Sequence, residues 1–71
     1  MAGGRKSMSV DTMRVGKSYH IQNLGEHTSF TVLASMGEND FRIKDLLTLE
    51  VYEFQELIKY GLGDDYELYE I

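Results

Sequence analysis

The stretch Thr48-Leu-Glu-Val-Tyr-Glu-Phe-Gln-Glu-Leu-Ile-Lys-Tyr-Gly61 limits the fold more than any other part of this sequence. At about 100° per residue, Val51, Phe54, Leu57 and Ile58 fall within a sector of about 120°, which is the stripe of an amphipathic helix. Thr48 is placed to cap the amide of Val51, and Gly61 follows the last periodic residue, where a left-handed position favours glycine. Glu50 and Glu53 near the start and Lys59 near the end complement a helix dipole. A second pattern competes. Phe41, Ile43, Leu47, Leu49 and Val51 keep a two-residue period, so a strand could run on and leave a shorter helix from about Tyr52. The longer, doubly capped helix is the expectation.

Ahead of that stretch, alternation marks three strands. In 15–23, Val15, Tyr19 and Ile21 oppose Ser18, His20 and Gln22. In 28–36, Phe30, Val32, Ala34 and Met36 are in phase, while Leu33 interrupts the polar side and suggests a central strand covered on both faces. The third, 41–44, puts Phe41 and Ile43 inward and Arg42 and Lys44 outward. The connections around Leu24-Gly25 and Gly37-Glu-Asn39 contain residues that tolerate positive φ and are short enough for hairpins. A last strand is expected over 66–71, with imperfect phase.

The expected fold class is therefore α+β: a three-stranded antiparallel β-meander, one amphipathic helix and a C-terminal strand. It would be either a small SH3-like barrel with a helix or an open four-stranded sheet under the helix. The expected core is Tyr19, Ile21, Phe30, Val32, Phe41, Ile43, Leu46 and Leu68, joined by the helix stripe. With 71 residues there is room for one domain, assigned to 13–71, and residues 1–12 read as a flexible leader or an appended segment. So small a core, with no cysteine to staple it, makes a homodimer an expectation. No apolar run reaches the length of a membrane span or a signal-peptide core, so no membrane association and a cytoplasmic location are the default.

Charge is unevenly spread. The net charge is −5, with six bases against four acids in residues 1–44 and eight acids against Lys59 alone in 45–71. Such asymmetry points to a basic partner for the acidic end or to head-to-tail contact between copies.

The chemistry-bearing residues form no motif. His20 and His27, seven apart with no third ligand at a suitable spacing, give no metal site. Ser18, His20 and Asp40 lack a nucleophile-elbow context. Asp64-Asp65-Tyr66-Glu67 lacks calcium-loop spacing. No cofactor, no metal and no enzymatic activity are expected. The leading expectation is a small non-enzymatic protein-interaction module that meets a basic protein through its acidic helix and C-terminal face. Tyr52, Glu53, Glu56, Lys59 and Tyr60 would form the contact. The alternative is single-stranded nucleic-acid binding by a basic strand face of Arg14, Lys17, His20, Arg42 and Lys44. It is disfavoured because the alternation turns Tyr19 and Phe41 into the core.

Overall fold

The computed structural model describes residues 7–71; residues 1–6, the front of the expected leader, lie outside them. Five strands, β1 (Ser18–Asn23), β2 (Glu26–Ser35), β3 (Phe41–Asp45), β4 (Val51–Glu53) and β5 (Glu67–Glu70), make one antiparallel sheet in the order β4-β3-β2-β1-β5. The first four form a hairpin-connected meander. The fifth returns to the far edge and pairs with β1, placing Ile21 opposite Leu68. Two short 3₁₀ turns, Val10–Thr12 and Phe54–Leu57, are the only helical elements among the described residues. None of these is long and apolar enough to cross a membrane.

This overturns the α+β expectation in both of its helix-bearing forms. Thr48 does not cap Val51. Its amide is held by the Asp45 carboxylate at 3.1 Å, and its hydroxyl accepts the amide of Glu50 at 3.2 Å. Leu49 then takes φ 68°, a left-handed value that no α-helix accommodates. Val51 and Tyr52 pair with Lys44 and Ile43 as β4. An isolated helix of this length is marginal in water. Val, Tyr and Phe at 51, 52 and 54 suit a pleated, half-buried surface, and pairing with β3 buries Phe54 besides.

Of the supposed stripe, Phe54 is fully buried, Leu57 and Ile58 are half-buried, and Val51 is 50% exposed on an edge strand. Gly61 is left-handed as expected, at φ 95°, but it closes a turn after the 3₁₀ segment, its N–H donating to Ile58 O. The alternative of one long strand through 41–51 is also incorrect, because the chain reverses between Asp45 and Glu50.

The core lies on one face of the sheet: Met13, Tyr19, Ile21, Phe30, Val32, Phe41, Ile43, Phe54 and Leu68. Leu46 is not part of it. It sits in the β3–β4 turn and is 42% exposed. β2 is the central strand, as its composition suggested. Leu33 is not covered, however; it is the extra residue of a bulge between Val32 and Ala34, and this takes Ala34 and Met36 out of the core phase. The β1–β2 reversal uses Leu24 (φ 52°) and Gly25 (φ 81°), two successive left-handed residues as a tight right-twisted hairpin requires. Residues 7–12 lie along β5: Met8 N–H donates to Leu68 O at 2.9 Å, and Met8 and Val10 pack on the core.

The segment from Phe54 to Tyr66 carries the chain from the β4 edge to the β5 edge across the core face. Asn23, the one buried polar residue among the described residues, anchors it. Its Nδ2 donates to Leu57 O (3.3 Å) and Gly61 O (3.0 Å), and its Oδ1 accepts from Gly63 N–H (2.8 Å). Asp65 fixes the neighbouring hairpin, each oxygen accepting a backbone N–H, from Leu24 and Gly25, at 2.8 Å. Those amides, Gly25 first, hold the Asp65 carboxyl below its ordinary value.

Candidate functional site

A cluster of exposed apolar residues is built on a turn closed by several hydrogen bonds, the β3–β4 turn. Asp45, the last residue of β3, accepts the amides of Leu47 (2.8 Å) and Thr48 (3.1 Å) on Oδ1 and the hydroxyl of Tyr52 (2.7 Å) on Oδ2. Its backbone closes the turn a second time, its carbonyl accepting from Leu49 N–H and its amide donating to Glu50 O, both at 2.8 Å. Leu46 N–H donates to Ser29 O on β2, tying the turn to the sheet. A frame of this kind leaves little freedom, yet what it presents is apolar. Leu47 is 90% exposed and Leu49 62%, flanked by Leu46 and Val51.

Burial raises the Asp45 carboxyl, but the Tyr52 hydroxyl and the Thr48 and Leu47 amides outweigh it and hold the group below its ordinary value. Burial, then the Asp45 carboxylate, pushes the Tyr52 hydroxyl far up, so it remains a donor. The sign follows. A carboxyl with a lowered folded pKa contributes stability above its unfolded value, about 4, and loses it as pH falls through the folded value. Protection of the Leu47 and Thr48 amides, taken relative to their intrinsic exchange rates, is therefore expected to fall below about pH 4, and Asp45→Asn is expected to remove that pH dependence of the protection.

The five residues expected to form a partner site do not converge. Tyr52 lies opposite Ile43 and faces the core side, its ring packed at the core rim. Glu53 lies opposite Arg42 on the outer face and pairs with it at 3.1 Å. Glu56, Lys59 and Tyr60 do come together, beyond the 3₁₀ turn. Lys59 Nζ is 3.0 Å from Glu56 Oε1 and 5.3 Å from the Tyr60 ring centroid. Glu56 and Tyr60 also border a hollow of about 380 Å³ with Leu24, Glu26, Thr28 and Leu57. Four of the eight acids of residues 45–71 are engaged locally: Asp45 and Asp65 hold turns, and Glu53 and Glu56 are matched by Arg42 and Lys59.

No protein family, curated protein or solved structure matches this chain.

The outer face of the sheet holds the other cluster. His20 Nδ1 is 2.7 Å from Ser29 Oγ across β1–β2, and His20 Nε2 is 3.4 Å from His27 Nδ1. The Tyr69 ring lies 5.4 Å from His20 on the other side. Ser18, by contrast, bonds Thr31 at 2.7 Å, and Asp40 accepts the amides of Phe41 and Gln55, so Ser18, His20 and Asp40 are not assembled. Arg42 and Lys44 share this face with His20, but Tyr19 and Phe41 are buried and present no ring for base stacking.

Sequence reasoning missed the β3–β4 turn. Asp45-Leu-Leu-Thr48 carries a signal that could have found it, since an Asp whose side chain takes amides two and three residues on is a turn former. The leucines obscured it by extending both competing periodicities. The pairing of His20 with Ser29 depends on the β1–β2 register, which the position of Gly25 sets.

Proposed function

We propose that the protein is a non-enzymatic protein-interaction module whose docking element is the β3–β4 turn, with Leu47 and Leu49 as the anchors. The observation that carries this reading is a nearly fully exposed leucine held on a turn fixed by five hydrogen bonds. Rigid, exposed apolar anchors lose little entropy on binding, and this is how a small patch gains affinity.

Leu49 adds an independent argument. A leucine in left-handed conformation costs about 1 kcal/mol relative to residues that adopt it freely. Folding alone would be better served there by Asn or Gly. Strain at an exposed residue is a pointer to use rather than to stability.

The partner that fits is a protein with an apolar pocket inside a basic rim. Glu50 lies exposed in the same turn, and residues 45–71 carry eight acids against one base. A second copy fits less well, since each chain carries a net charge of −5. Tyr52 acts beneath the turn as a strut, and the Glu56–Lys59–Tyr60 group lies apart from it.

The test places a photo-crosslinking residue at position 47 in the full chain and exposes it to extract of the source cells. The expected adduct is a heterologous protein, competed by excess wild-type chain and weakened by salt. Leu47→Asp with Leu49→Asn should lose that competition at least about tenfold while changing stability by no more than about 1 kcal/mol, because both side chains are exposed. An adduct equally well competed by the double variant, or one with a second copy of this chain, overturns the assignment. Leu49→Asn alone is expected to raise stability by about 0.5–1 kcal/mol and still weaken competition.

A further inference from the structure

Among the described residues no three His, Cys, Asp or Glu side chains gather as a metal cluster. The outer sheet face nevertheless brings two imidazoles into a definite relation. Hairpin register sets His20 against Ser29 and Gln22 against His27, so the two histidines are diagonal neighbours on one face. His20 Nε2 and His27 Nδ1 stand 3.4 Å apart and open to water.

We infer that His20 and His27 form a two-imidazole site for a zinc ion, with water completing the coordination. Three features of the geometry carry this.

The first is the spacing. With zinc–nitrogen bonds of 2.0–2.1 Å, nitrogens 3.4 Å apart subtend about 110° at the ion, the tetrahedral angle. A square-planar cis pair would need them closer, at about 2.9 Å. The ion sits off the line between the two nitrogens, so modest ring rotations aim both lone pairs at it.

The second is the hydrogen bond of His20 to β2. Its Nδ1 is 2.7 Å from Ser29 Oγ, and the tautomer that donates this bond from Nδ1 leaves the Nε2 lone pair free for a metal. Metal-binding histidines are held this way by the hydrogen bond of their other nitrogen.

The third is proton balance. With His20 Nε2 as the acceptor, the proton in the 3.4 Å contact belongs to His27 Nδ1. Zinc takes the Nδ1 lone pair once that proton moves to the exposed Nε2 of the same ring. No net proton is released, and both rings bind neutral.

The ligand set also defines selectivity. Imidazole suits zinc and its late first-row neighbours, whereas magnesium and calcium require oxygen donors. The chain's 12 carboxylates are the competing location for any divalent ion, and they would favour the hard cations.

The experiment titrates zinc chloride into the full chain by calorimetry, with the histidine side-chain NMR signals followed in parallel. The expected result is one ion per chain, with both imidazoles shifting together and binding unaffected by millimolar magnesium. His27→Ala, at an exposed position, should keep the fold and lower affinity more than tenfold; His20→Ala should do the same. Ser29→Ala, which leaves both ligands in place, should cost about tenfold. Zinc should raise the melting temperature of the wild-type chain and not that of His27→Ala. The inference is overturned by the absence of binding at millimolar zinc, by undiminished binding in His27→Ala, or by magnesium competing equally. A stoichiometry of one ion per two chains overturns the water-completed form of the site.

Discussion

Phe54→Ala is expected to cost about 3–5 kcal/mol, whereas Val51→Ala, three residues away, costs less than about 1 kcal/mol. Phe54 is completely buried, its ring 5.6 Å from that of Phe30 on the central strand, and it is the only residue of its 3₁₀ turn to enter the core. Its removal leaves a cavity beneath the connection that carries the chain between the two sheet edges. A domain of this size has of the order of 5 kcal/mol in total, so the variant should melt at least about 15 °C lower or be unfolded at 37 °C. Val51 pairs with Lys44 and looks outward. Had residues 48–61 been a helix, both side chains would lie in one buried stripe and both substitutions would be severe. Thermal melts of the two variants distinguish the cases.

The second large effect is expected at Asn23. Truncation to alanine removes both donors to Leu57 O and Gly61 O and the acceptor for Gly63 N–H, in a place the solvent barely reaches. An unpaired buried polar group costs about 1–3 kcal/mol. With part of the connection relaxing toward water, Asn23→Ala should lose about 2–4 kcal/mol in chemical denaturation. Asn23→Asp tests the direction of the bonds. It retains the acceptor but turns a carboxylate oxygen toward two carbonyls, so it should be at least as damaging as alanine. A milder effect for Asp would mean that the amide donors are not what hold the segment. Gly63 itself is packed against the hairpin: a Cβ added there would meet Leu24 Cδ2 at 2.7 Å, so Gly63→Ala would force that side chain to shift.

These two residues also mark where the sequence was informative and where it was not. The sheet was legible. Alternation at Tyr19/Ile21, Phe30/Val32 and Phe41/Ile43 places the inward side chains correctly, because one buried face imposes a two-residue period that few other causes produce. The failure at 48–61 has a definite physical origin. A strand edge followed by a 3₁₀ turn puts Val51, Phe54, Leu57 and Ile58 at spacings that also satisfy a 3.6-residue period, and the Thr and Gly at its ends serve turns as readily as caps. Pairing with β3 makes 51–53 a strand, and the deciding residue, Asp45, lies just outside the stretch. Asn23 was invisible for a different reason: its partners lie 34 to 40 residues away.

For the candidate sites the same contrast holds. The exposure of Leu47 and Leu49 depends on a left-handed Leu49, a conformation that composition argues against. The His20–His27 relation depends on register, which the two-residue turn at Leu24-Gly25 fixes. A helix would have projected Tyr52, Glu56, Lys59 and Tyr60 from one side, whereas the strand turns Tyr52 under the sheet and leaves the leucines forward.

The central claim is that residues 45–58 form a locked turn, an edge strand and a 3₁₀ segment, and through-space NMR contacts test it most directly. The structure predicts cross-strand contacts of Ile43 with Tyr52 and of Lys44 with Val51, slow exchange at the Asp45 and Leu49 amides, and a positive φ at Leu49. An unbroken series of i to i+3 contacts from Thr48 to Gly61, with no contact between Ile43 and Tyr52, would contradict it.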